Sequence, residues 1–133
     1  MKRIARLAAA AVLMAGLTAA TAGTAHACSC VPFTEEQLLE RADHVFQARV
    51  LSKSEEPDQM MRYRVVVSQE RKGDVPRYLS VISHRSSATC GVEFVVGKDY
   101  VVYATGDAKD RRVETHLCSG TRVADLARPA CGN

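Results

Sequence analysis

Two cysteines separated by one residue, Cys28-Ser29-Cys30, stand directly behind Ala25-His26-Ala27, where small residues occupy the positions that flank leader cleavage. Cleavage there makes Cys28 the first residue of the exported chain. Its free α-amine then lies beside its own carbonyl, a pair of donors able to chelate a metal held by another protein, provided something keeps it still. Disulfides from both cysteines are the means. In an extended segment side chains alternate, so both sulfurs leave by one face and Ser29 by the other. Pro32 fixes its own φ and pushes Val31 toward extended backbone. The expectation is a stiff strip, Cys28 to Pro32, pinned from behind and presenting Ser29 forward.

Residues 1–27 have the form of a secretory signal: Lys2, Arg3 and Arg6 give the positive start and Leu7 to Leu17 the apolar stretch. That stretch is too short, and too interrupted by Gly16 and threonines, for a stable membrane span, and no later segment approaches one. Residues 28–133 are expected as one small soluble, secreted domain. A lipid-anchored Cys28 is disfavoured, because Ala25 and bulky His26 stand where a lipidation signal places Leu and then a small residue. Acylation would also consume the amine.

The formal charge of +3 is misleading, since the leader holds three of the 18 Lys and Arg and none of the 15 acids. The remainder is balanced. No basic surface for nucleic acid or anionic membrane is implied, and without Trp, base stacking has little to work with.

Export makes disulfides the default for Cys28, Cys30, Cys90 and Cys118, and four cysteines allow three connectivities. A Cys28–Cys30 bond closes a ring too tight for ordinary geometry, so both should reach distant partners. Order along the chain suggests Cys28 with Cys90 and Cys30 with Cys118, each closing a long loop worth roughly 4 kcal/mol in the chain-entropy model. Cys131 is left over: free, paired between chains, or a competitor for Cys30.

Several elements must carry these cysteines. Thr34-Glu35-Glu36-Gln37 has capping-box form, and Leu38, Leu39 and Ala42 continue at helical spacing, predicting a short helix to about Asp43. Runs rich in Val, Ile, Tyr and Phe predict strands over 44–52, 61–69, 78–84, 92–96, 100–105 and 113–118. Polar breaks separate them, with 106–110 expected as a hairpin tip, and a second short helix is predicted over 121–127. Short strands with one or two small helices fit a small antiparallel barrel or sandwich.

With Cys-Ser-Cys-Val-Pro at the mature start and Ser86-Ser87-Ala88-Thr89-Cys90-Gly91-Val92 in the middle, the chain resembles the N-terminal inhibitory domain of the tissue inhibitors of metalloproteinases. Ala48-Arg49-Val50, the segment 62–73, Gly97-Lys98-Asp99-Tyr100 and Thr115-His116-Leu117-Cys118 follow the family's order and approximate spacing. The resemblance implies an OB-type five-stranded antiparallel barrel with Cys28 bonded to Cys90 and Cys30 to Cys118. It also implies a secreted, monomeric inhibitor with no cofactor of its own, whose Cys28 amine and carbonyl chelate the zinc of a target metalloproteinase. Ser29 would enter the S1′ pocket, and Cys30, Val31 and Pro32 with Ser87, Ala88 and Thr89 would complete the inhibitory wedge. Two departures stand out: no cysteine between Cys30 and Cys90 supplies the family's third disulfide in this domain, and no family C-terminal domain precedes Asn133. With a leader of bacterial type, a bacterial single-domain member is expected. The competing reading is an OB-like or netrin-like interaction module whose disulfides are structural only.

Enzyme chemistry finds little footing. His44, His84 and His116 are dispersed, without HExxH or a Cys/His cluster, and read as surface or semi-buried. Ser29 lacks a nucleophile elbow, and Asp43-His44 is no triad. Glu35, Glu36, Glu55 and Glu56 fit a helix start and a loop, and Arg62, Arg64, Arg71 and Lys72 fit an exposed ribbon.

Overall fold

The computed structural model describes residues 28–124; the leader, Cys131 and the last three residues of the second predicted helix lie outside them. The first element is α1 (Glu35–Arg41). Its capping box forms, the Thr34 hydroxyl accepting the Gln37 N–H and the Gln37 side chain accepting the Thr34 N–H. At the other end Lys72 Nζ donates to the carbonyls of Leu39 at 2.7 Å and Ala42 at 2.6 Å, filling acceptors the helix leaves open. Lys72 is therefore a half-buried helix cap rather than an exposed ribbon residue.

Two long strands follow, β1 (His44–Glu56) and β2 (Met60–Lys72), joined by a tight turn in which the Met60 N–H returns to the Pro57 carbonyl. Asp58 and Gln59 sit there at φ 58° and 62°, a type I′ pattern whose twist matches the flanking strands. Then come β3 (Tyr78–His84), β4 (Asp99–Ala104), β5 (Arg112–Glu114) and β6 (Arg122–Val123). They form one sheet in the order β5-β3-β2-β1-β4-β6, antiparallel except for the β3–β5 pair. The ladder does not close, but a single antiparallel bridge from Thr105 to Glu114 links the end of β4 to β5. The result is a mainly β, OB-like fold.

Alternation along β1 explains both cores. Phe46, Ala48 and Val50 point inward and join Tyr63, Val65, Leu79, Val81, Phe94, Tyr100, Val102 and Val113. Val45 turns the other way, meeting Ala42, Val101, Tyr103 and Ala124 under Leu38 and Leu39 of α1.

Three expectations need correction. The run 92–96 is not a strand, because side chains supply its hydrogen bonds: Val92 N–H goes to Ser83 Oγ and Val95 N–H to the Tyr100 hydroxyl. Residues 106–110 bring the chain back to β4 through one antiparallel bridge only, Thr105 with Glu114, and β5 otherwise runs parallel to β3. Arg122–Val123, predicted helical, pair with β4 instead, where the Ala124 N–H bonds to the Asp99 carbonyl.

Candidate functional site

The strip 28–32 has no regular structure and makes no ladder, so its position depends on its cysteines. Cys28 is bonded to Cys90 and Cys30 to Cys118, with Cα separations of 5.3 and 5.2 Å, inside the normal range for disulfides. Beyond the strip, Phe33 is half-buried with the Arg41 guanidinium 4.5 Å from its ring centre, which ties the strip's far end to α1.

Both receiving cysteines sit in short 3-10 turns. Ser87–Thr89 form the first, closed by Cys90 at φ 65° with its N–H bonded to the Ser87 carbonyl. The Thr89 hydroxyl donates to the Ser86 carbonyl at 2.9 Å, and Glu93 accepts the Ser87 N–H at 3.3 Å. Gly91 is required next: a Cβ there would lie 2.0 Å from the His84 carbonyl oxygen. Leu117–Ser119 form the second turn, opened by His116, whose Nδ1 accepts the Cys118 N–H at 3.2 Å. The Leu117 N–H donates to the Cys90 carbonyl at 2.8 Å, so the two turns are bonded to each other as well as to the strip.

Beneath them lies a set of buried and half-buried hydroxyls. Thr115 Oγ1 donates to the Tyr103 carbonyl at 2.8 Å and lies 2.7 Å from Thr121 Oγ1 and 2.9 Å from Ser119 Oγ. Thr121 Oγ1 accepts the Tyr103 N–H at 2.9 Å. These bonds seat the segment carrying Cys118 on β4. Ser83, with 0% of its surface exposed, joins the other limb, donating to the Thr115 carbonyl and accepting the Val92 N–H.

Ser29, Val31, Pro32, Ser87, Ala88 and Thr89 are all exposed, Val31 at 68%; Cys30 is exposed and Cys28 half-buried. They make an uncharged ridge stapled at two points. Leu117, exposed between the staples, is an addition that the sequence did not single out. Nor did it single out Ser83, Thr115 and Thr121, since a hydroxyl within a β-rich run has no distinguishing neighbour pattern.

The groups set aside as non-catalytic have local partners. Glu35 accepts from the Tyr103 hydroxyl and lies 3.2 Å from Arg122; the hydroxyl above all, helped by the guanidinium, holds its carboxyl below the usual range against the opposing effect of burial. Arg62, half-buried rather than exposed, meets Glu56 at 2.5 Å, and Arg112 meets the same carboxylate at 3.4 Å; both hold it low, Arg62 more strongly. His44 is buried at 7% exposure, Nε2 donating to the Gly106 carbonyl at 2.7 Å and Nδ1 accepting the Asp74 N–H at 3.3 Å. No three His, Cys, Asp or Glu side chains converge on a common point among the described residues, and no helix there is long and apolar enough to cross a membrane.

No protein-family profile matches the chain. It is similar to metalloproteinase inhibitor 3 of Gallus gallus, 31% identical over 100 residues that cover 71% of this chain and 47% of that protein. The chain thus spans about half the length of the curated relative it matches.

Proposed function

We propose that this protein is a secreted inhibitor of zinc metalloproteinases, akin to the tissue inhibitors of metalloproteinases, and not an enzyme. Removal of residues 1–27 frees the Cys28 amine. A catalytic zinc has three protein ligands and one position kept for water, and the Cys28 amine and carbonyl would take that position. Ser29 would enter the S1′ pocket, while Cys30, Val31, Pro32 and Ser87 to Thr89 rest against the cleft. With no peptide bond ahead of Cys28, the inhibitor offers nothing to cut.

The observation that carries this reading is the double stapling of Cys28 and Cys30 onto two mutually bonded turns, together with similarity to a metalloproteinase inhibitor. A strip already held in place gives up little freedom on binding, which is how so small a contact could be tight.

The test adds one alanine before Cys28 in the mature protein. Inhibition of a zinc metalloproteinase should fall by orders of magnitude with folding intact. Equal inhibition by the extended protein would exclude amine coordination, and partner binding without inhibition by either form would establish the OB-like or netrin-like interaction module instead. Intact mass of the secreted protein reads the first residue and any acylation directly.

A further inference from the structure

Beyond Arg49, β1 loses its neighbour on one side. Residues 44–49 pair with β4, and Val50 bonds through its backbone to Gly97 and Lys98. From Ser52 to Glu56 the strand is paired with β2, and from Leu51 onward its other side has no backbone partner among the described residues. Most of this edge is exposed, Leu51 included. Beside it opens a notch of about 750 Å³ whose apolar lining includes Met61, Tyr63 and Phe94, flanked by the exposed Val95 and Val96.

An open edge is a template for another strand, and charges, lysine above all, ordinarily block it. Here the charges alternate in sign on one face: Lys53 pairs with Tyr63 and Glu55 with Met61 across the hairpin, so both stand on the notch side. Let two such edges meet antiparallel about a two-fold axis at Ser54. Lys53 of each copy then falls opposite Glu55 of the other, where it joins or replaces the exposed Arg85 that meets Glu55 at 3.3 Å within one chain, and the charges that would repel a foreign strand are answered twice by a copy of themselves. On the opposite face Ser52 meets Glu56 and Ser54 meets itself, leaving no like-charged pair in register.

We propose that the 51–56 edge of β1 is a self-association surface, through which two copies of this chain pair antiparallel and join their sheets. This departs from the monomer expected from the sequence and does not depend on the protease reading. So short an edge covers well under the roughly 800 Å² per partner of a standard interface, so the dimer is weak and concentration-dependent.

Sedimentation velocity on the secreted protein from micromolar to millimolar concentration, without any protease, tests it. A dimer should grow with concentration. K53E and E55K, both on the exposed surface, should each weaken it on the order of tenfold, because every substitution counts twice across the axis. An equimolar mixture of the two variants should associate again, since acids at 53 and 55 of one chain then face bases at 55 and 53 of the other. Circular dichroism verifies that each variant is folded. A natural chain that stays monomeric throughout, single variants that dimerise like the natural chain, or a mixture that stays monomeric would each overturn the proposal.

Discussion

Ser83 Oγ lies 2.9 Å from the carbonyl oxygen of Thr115, and this fully buried bond fastens the limb of Cys118 to the limb of Cys90. The same oxygen accepts the Val92 N–H at 2.9 Å, two residues past Cys90. Replacing Ser83 by Ala leaves a buried donor and a buried acceptor without partners, each costing about 1–3 kcal/mol. Chemical denaturation should find S83A destabilised in that range or somewhat above. A loss within experimental error would mean that the Leu117–Cys90 backbone bond and the disulfides hold the two limbs without it.

The proposed zinc contact makes inhibition depend on pH. An α-amine titrates near roughly 7.7–8 and must lose its proton to coordinate a metal. Inhibition constants should tighten as pH rises from mildly acid to neutral, until the protease's own groups intervene. A flat profile across that window would speak against the amine.

Glu35 gives stability its own acid limit. Its carboxyl is held low by the Tyr103 hydroxyl and Arg122, so the folded state favours the ionised form more than the unfolded chain does. The contribution is complete above the carboxylate's unfolded value and disappears as pH falls through the lower folded value. Glu56 contributes with the same sign. Melting curves of E35Q should depend less steeply on pH in that acid window than those of the natural chain, and an unchanged slope would contradict this assignment.

Gly73 should not tolerate alanine. It sits at φ 84°, and a Cβ would stand 2.2 Å from His44 Nδ1 and 2.7 Å from the Asp43 carbonyl oxygen. The backbone strain alone is worth about 1–3 kcal/mol, before the buried imidazole is displaced from Gly106 and Asp74. Thermal denaturation of G73A checks this.

The disulfides can be weighed separately. Changing Cys30 and Cys118 together to Ser opens a link across 88 positions and should cost about 2–5 kcal/mol in denaturant. It should also loosen the middle of the strip, which Cys28–Cys90 alone then pins, while the circular dichroism of the sheet persists, because no ladder binds residues 28–32 to it.

Much of this architecture is legible in the residues. Thr34 and Gln37 announce the helix start, and the alternation of Phe46, Ala48 and Val50 places β1 across the core. The CxC and the order of the later cysteines suggest the disulfide pairs, and the family resemblance implies the same two, although Cys131 left a rival for Cys30 open. What fails does so for lack of a local signal. Val92 and Phe94 alternate with exposed neighbours as in a strand, but their segment is bonded by the Ser83 and Tyr100 side chains, which lie nine and five residues away and carry no local mark of that role. Arg122 and Val123 have acceptable helical surroundings, and pairing with Tyr100 and Val101 overrides them. The hydroxyls of Thr115, Ser119 and Thr121 become a group only when the chain doubles back over β4.

The exposed tip of the strip makes few demands on the rest of the molecule. Ser29 and Val31 face outward and belong to neither apolar core, so exchanging either should alter thermal stability by no more than about 0.5 kcal/mol. The recognition proposed for these positions could therefore drift, or be redesigned, while the sheet beneath keeps its own tolerance to mutation undiminished.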